Sequence, residues 1–394
     1  MLDSHIHEWL NLLVRWIHFI VGIAWIGASF YFNWLENNLN RKRPTGDPIA
    51  GDLWAVHGGG FYHLNKFARG PERLPEELHW FKWEAYTTWL TGMMLLIVVY
   101  YFNAKVYMID PSVRDLSVVQ AMSISLIAIV GSWFVYDGIC RSFLAKRPRI
   151  LVGVIFLYLV LLAYFLTTLF SGRAAYIHVG AVIGTLMVGN VFFVIIPAQK
   201  EMVRALTENC SPDPNVGAKG LLRSLHNNYL TLPVVFAMIS VHFPSTYGNS
   251  ANWLILILIS IAGVMARHYF NIRKASRSAW WFLVVGFCIL LGAMWLTYPK
   301  EIEVQKQTVS SLEAMEIITN RCTSCHASNP SFVGISSPPG GVILETVQQI
   351  ENHADTIYQN SVLTNTMPPG NLTGITDSER HILAAWYQLL NDSK

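Results

Sequence analysis

The chain has 394 residues, of which 53% are hydrophobic and only 13% charged, and its formal net charge is +3. Soluble domains carry about 25% charged residues, so this composition excludes an ordinary soluble protein. So small a net charge also leaves no electrostatic footprint for nucleic acid, and none is expected as a partner. The 14 tryptophans and 16 tyrosines suit the aromatic belts of a protein set in a lipid bilayer.

Apolar segments long enough to cross a hydrocarbon layer of about 30 Å fall at roughly 9–34, 80–102, 117–140, 149–171, 174–198, 222–243, 252–271 and 279–298. The expected fold is an all-α membrane protein of eight transmembrane helices over residues 1–300. Ser171-Gly172-Arg173 leaves room only for an antiparallel hairpin between the fourth and fifth segments, and Pro197 and Pro233 should kink or end their helices. No cleavable signal peptide is expected, because the N-terminus is acidic and polar and the first apolar run is too long. Cys140, Cys210 and Cys288 read as inert thiols rather than as a disulfide network.

Basic residues give the orientation. Arg41, Lys42, Arg43, Lys66, Arg69 and Arg73 follow the first segment, and Arg141, Lys146, Arg147 and Arg149 the third. Lys200, Arg204, Lys219 and Arg223 follow the fifth, and Arg273, Lys274 and Arg277 the seventh; the alternate loops hold only Lys105, Arg114 and Arg173. By the positive-inside rule the first set is cytoplasmic. That puts the long loop 36–79 inside and both the N-terminus and everything beyond residue 300 in the periplasm of a bacterial inner membrane. Within the loop, Leu53, Trp54 and Val56, then His57-Gly58-Gly59-Gly60, then Phe61, Tyr62 and Leu64 read as a β-hairpin.

Ionisable and amide side chains inside a bilayer are costly and point to function. His18, His178 and His242 fall in the periplasmic half, where neutral imidazoles can ligate iron. They are expected either to hold a non-covalent b-type haem or to bond to neighbouring helices. Glu84, Asp137, Asn190, His226, Asn227, Asn228, Arg267 and His268 fall in the cytoplasmic half. Read one by one they are interfacial caps and ion pairs. Read together they form a site in which Arg267, Asn227, His268 and Asn190 bind a planar anion and Glu84, His226 or Asp137 takes a proton, with His57 as a secondary group on the loop.

Past a polar connector, Ser310, Ser311 and Glu313 read as a capping box that opens a helix running into Cys322-Thr-Ser-Cys325-His326. Two thiols so spaced can take up the two vinyl groups of one haem while the adjacent histidine reaches the iron, so the run reads as a c-type haem attachment site. Alone it would also fit half of a zinc site. Met367-Pro368-Pro369-Gly370 supplies a thioether in a rigid turn for the opposite axial position. Thr376 and Glu379 then cap a last amphipathic helix. Residues 308–394 thus read as a small class I cytochrome c with Cys322, Cys325, His326 and Met367 holding haem c.

The Arg15-Trp-Ile-His-Phe-Ile-Val-Gly-Ile-Ala-Trp-Ile-Gly run, the Trp54-Ala-Val-His-Gly-Gly-Gly-Phe-Tyr62 run and the fused C-terminal haem motif together resemble the bacterial membrane-bound urate oxidase (urate hydroxylase) family. The resemblance implies conversion of urate to 5-hydroxyisourate in purine breakdown. Electrons would pass through haem to the chain's own cytochrome and on to an external cytochrome c or terminal oxidase. The residues alone also fit a quinol-oxidising electron-transfer subunit without urate chemistry.

Overall fold

A computed structural model describes residues 2–42, 48–68, 70–274, 278–298, 309, 311–332, 335 and 337–392. Arg43, Arg69, Arg277, Ser310 and most of the connector at 299–310 lie outside the described residues, and the first capping box with them.

Helix α1 (Leu2–Asn38) leads into the hairpin of β1 (Ile49–His57) and β2 (Gly60–Phe67). The strands are antiparallel with Trp54 opposite His63, as the alternating pattern predicts. Gly58 and Gly59 make the turn with φ of 58° and 81°, a region that glycine enters without steric cost. Helix α2 (Trp83–Leu95) runs on through a π-helical stretch, Leu96–Tyr101, to the short α3 (Ala104–Tyr107). Then follow α4 (Val118–Arg141), α5 (Pro148–Thr167) and α6 (Gly172–Asn190), with a turn of four residues between α5 and α6.

A second π-helical stretch, Val191–Ile195, joins α6 to α7 (Ile196–Thr207), and Pro197 sits at the start of α7. A proline removes one backbone donor and crowds the carbonyl four residues earlier, so the ladder loosens into the wider π repeat just before it. Helix α8 (Pro214–Ile239) carries Pro233 in its interior. The short α9 (Pro244–Tyr247) precedes α10 (Asn252–Ile272) and α11 (Trp281–Leu296).

Five of these helical runs meet the length and apolarity needed to cross a membrane, including α6 and α7 taken together, and α11 is a shorter apolar helix of 16 residues. The second and sixth expected segments miss those limits for physical reasons. Helix α2 is broken by its π-helical stretch, and α8 begins eight residues before the expected start and carries Arg223, His226, Asn227 and Asn228. Helix α6 is the centre of the bundle. It is buried along most of its length and packs against α2, α4, α5 and α8.

The C-terminal region folds around its own core. Helices α10 and α11 are followed by α12 (Ser311–Arg321), α13 (Val347–Asn352), α14 (Ala354–Ile357) and α15 (Asp377–Asp392). Ile318, Ile350, Leu383 and Trp386 form its centre. At the start of α15, Thr376 N–H donates to Glu379 at 2.7 Å and Glu379 N–H donates to the Thr376 hydroxyl at 3.2 Å, the capping box expected there.

This C-terminal unit packs on the bundle. The turn at Gly370 meets Ile109, and Gly248 meets Thr364 and Thr366. A Cβ on Gly248 would stand 2.6 Å from the Thr366 methyl, so only glycine permits that approach. The surfaces it covers belong to the basic-poor loops between α2 and α4 and between α8 and α10.

Candidate functional site

Two sets of polar side chains stand out, one at each end of the bundle. The inner set, at the end away from the C-terminal unit, centres on Arg223. Its guanidinium donates to Asp137 Oδ1 at 2.5 Å and to Asn190 Oδ1 at 3.2 Å, and it lies over the Tyr136 ring at 4.8 Å. A guanidinium has donors only, so Arg223 fixes the Asn190 carbonyl toward itself. The Asn190 amide nitrogen then donates to the Tyr136 hydroxyl at 2.9 Å and to Asn227 Oδ1 at 2.8 Å. The Tyr136 hydroxyl also lies 2.8 Å from His226 Nδ1. With Nδ1 accepting from that hydroxyl, a neutral His226 carries its own proton on Nε2.

That nitrogen is buried and has no partner. The same is true of Glu84 Oε2, Asn228 Nδ2, Asn271 Oδ1 and two nitrogens of Arg267, Nε and Nη2. Unpaired buried polar atoms each cost about 1–3 kcal/mol, so these six, on α2, α8 and α10, are groups that a ligand could satisfy. Their surroundings are tied together. Asn271 donates to Asn228 Oδ1 at 2.9 Å, Tyr229 and His268 Nδ1 are 2.7 Å apart, and Arg267 lies over the Phe30 ring of α1 at 4.1 Å.

The outer set surrounds a cavity of about 1180 Å³ between the C-terminal unit and the bundle. Cys322, Cys325, His326 and Met367 line it from one side and Tyr107, Arg173 and Tyr247 from the other. Ordinary ligand pockets measure about 300–1,000 Å³, so the space admits a group as large as a porphyrin. His326 Nδ1 donates to the Val342 carbonyl at 3.0 Å, which fixes the tautomer and leaves Nε2 unprotonated, the form a metal takes. Arg380 donates to the Met367 carbonyl at 3.1 Å and Met367 N–H to Asn360 O at 3.0 Å, so the methionine is held by its backbone.

Burial pushes the Cys322 thiol up to about 12, with the neighbouring Cys325 adding to the effect, and burial raises Cys325 as well. No group of three or more His, Cys, Asp or Glu side chains suited to a metal ion occurs among the described residues. The residues present fit a thioether-bound haem better than half of a zinc site.

The urate oxidase N-terminal family matches residues 4–298. The chain belongs to that family. No curated protein and no solved structure matches it.

In this urate oxidase family member the inner set contains most of the polar residues that the sequence singles out. Asn190 donates to Tyr136 and to Asn227 and accepts from Arg223, and Asn227 donates to the Met187 carbonyl. Asp137 receives Arg141 at 2.6 Å as well as Arg223, so it is an ion-pair member and not a free base. His268 is held by Tyr229 and packs edge-on to Phe282. His57 is exposed at the hairpin tip, and no hydrogen bond or ring contact described joins it to the inner set.

The three histidines considered for a membrane haem have separate surroundings. His18 Nδ1 is 2.9 Å from the Thr91 hydroxyl. His178 has both nitrogens engaged, Nδ1 with the Ala174 carbonyl and Nε2 with the Ser125 hydroxyl, each at 2.7 Å. His242 is exposed in a 3₁₀ turn, Ser240–His242. Of the three, only His18 lies inside a helix with a ring nitrogen, Nε2, that no described hydrogen bond occupies.

Sequence reading missed Tyr136, Asn271 and the role of Arg223, which it placed in a basic loop. A signal for Arg223 was present. Arg223, His226 and Asn227 stand at i, i+3 and i+4, a single helical face.

Proposed function

We propose that the chain is a membrane-bound urate oxidase that works at the inner end of its bundle and delivers electrons to a c-type haem in its C-terminal unit. The family match supports the substrate. The observation that carries the site is the set of buried, unpartnered donors and acceptors on Glu84, His226, Asn228, Arg267 and Asn271. Urate is a planar anion with carbonyl acceptors and ring N–H donors around its rim. Arg267 Nε and Nη2 offer a parallel pair of donors to one edge. Asn228 Nδ2 and His226 Nε2–H offer further donors, and Asn271 Oδ1 accepts.

The reaction converts urate and one water to 5-hydroxyisourate with release of two electrons and two protons. Glu84 Oε2 is the proton acceptor, because it is the one unpartnered carboxylate oxygen of the set. His226 donates through Nε2, its other nitrogen being covered by Tyr136, and so polarises the carbonyl that gains charge as water adds. When bound at Cys322 and Cys325, with His326 and Met367 as axial ligands, haem c supplies one-electron acceptance and passes electrons to an external cytochrome c or terminal oxidase. A b-type haem in the bundle, should one bind, would take His18 through Nε2.

The reading places eight helical segments in a bacterial inner membrane, the hairpin of β1 and β2 in the cytoplasm and the C-terminal unit, a class I cytochrome c, in the periplasm. Charge asymmetry supports it, since the C-terminal unit packs on the basic-poor loops and covalent haem attachment belongs outside. The test is a variant series. Arg267→Ala and Glu84→Gln should lose urate oxidation while the protein keeps its covalent haem. Wild-type activity in both would refute the site.

A further inference from the structure

We infer that Arg173, from the first turn of α6 in the membrane bundle, is the cation that takes a haem propionate of the C-terminal unit, so that the haem is held across the interface and not within one unit. The inference rests on the haem c reading above and concerns how that haem is held. Two arginines stand on the cysteine and methionine side of this region, and both are committed. Arg321 donates to the Thr373 carbonyl at 2.6 Å and to Glu379 at 3.0 Å. Arg380 donates to the Ser361 and Met367 carbonyls. Arg173 lines the same cavity from the opposite wall, lies 4.9 Å over the Tyr107 ring and has a buried Nε without a partner.

No acidic side chain pairs with Arg173 among the described residues. Its guanidinium is half-buried and faces tyrosines, Tyr100 foremost, with no carboxylate to neutralise it, and an anion in the cavity would do so. A c-type haem has two carboxylates on the edge away from its thioether bonds. A cavity with cysteines on one wall and an unpaired guanidinium on the other matches that polarity. The contact would also hold the C-terminal unit in place on Gly248 and Ile109, with its haem against the outer turn of α6.

The test is an equilibrium redox titration of the purified full-length protein, read from its c-type haem absorbance, for wild type, Arg173→Gln, Arg173→Lys and Gly248→Val. A nearby positive charge favours the reduced haem. Arg173→Gln should shift the reduction equilibrium toward the oxidised form by about tenfold, or 59 mV for one electron, with Arg173→Lys restoring most of it. Gly248→Val, which pushes the C-terminal unit away without touching Arg173, should lower the potential similarly and add little when combined with Arg173→Gln. Full covalent haem with an unchanged potential in Arg173→Gln overturns the inference while leaving haem c intact. If Arg173→Gln fails to accumulate, an unchanged potential in Gly248→Val overturns it. Wild-type protein without covalent haem would overturn the haem reading itself.

Discussion

The Tyr136 hydroxyl on α4 lies 2.8 Å from His226 Nδ1 on α8. Arg223, whose donors hold the Asn190 carbonyl, turns the Asn190 amide toward the same hydroxyl. An amide donating to that oxygen leaves the hydroxyl proton available to Nδ1, which favours a neutral His226 with its own proton on Nε2.

Removing the tyrosine hydroxyl should free that choice. Tyr136→Phe leaves His226 able to carry its proton on either nitrogen, so the donor at Nε2 is present only part of the time. Steady-state kinetics should show kcat for urate lower by at least about tenfold with KM changed less, within the 10²–10⁴ that a positioned proton-transfer group contributes. An unchanged kcat would remove His226 from the chemistry.

Arg223 is 5% exposed and its partner Asp137 15%. Arg223→Ala leaves a largely buried carboxylate facing only Arg141 and leaves Asn190 without its donor. The expected loss is about 3 kcal/mol, seen as a clear fall in the thermal midpoint in detergent. Combining it with Asp137→Asn should recover part of that loss, because the stranded charge is then gone.

The layout of the chain was legible because hydrophobic runs in a bilayer must be helical. Lengths and loop charges therefore placed nearly every helix, and period-two alternation around Gly58 and Gly59 placed the hairpin. The inner site was legible as a set of residue types and not as a set of roles. Asn227 and Asn228 look identical in sequence, yet one is spent on Asn190 and Met187 while the other keeps a free donor. The difference is a turn of about 100° around α8, which decides whether α6 or α10 is the neighbour. Asn271 is the last residue of its expected segment and gave no signal of a role. In the C-terminal unit the motif spacing singled out Cys322, Cys325, His326 and Met367, which line one cavity, but nothing in the sequence indicated that Arg173 would share it.

Arg267 offers two unpartnered nitrogens in a planar fork. Arg267→Lys keeps the charge and loses the fork, so it should not rescue Arg267→Ala. Both variants are expected to lose at least about 100-fold in kcat/KM, or close to 3 kcal/mol of transition-state binding, with covalent haem content unchanged. Activity in Arg267→Lys near that of wild type would mean that a point charge suffices.

The C-terminal unit should be acid-sensitive through Glu379. Burial alone would raise that carboxyl, but hydrogen bonds from Thr376 and Arg321 outweigh it and hold it below its ordinary value of 4.5. A carboxyl depressed on folding stabilises the fold above the unfolded value and loses that contribution as pH falls through the folded one. Stability of the unit should therefore be flat near neutrality and fall below about pH 4.5, and Glu379→Gln should flatten the fall. Haem-region circular dichroism against pH reads this directly, and an identical acid profile in Glu379→Gln would remove the residue from the account.

The most direct measurement is to add urate without oxygen to the purified full-length protein and record the c-type haem spectrum. The account requires the reduced haem bands to grow with urate, at two haem equivalents per urate consumed, and to stay absent in Arg267→Ala. Haem that stays oxidised with urate present, yet is reduced by a quinol, would contradict it.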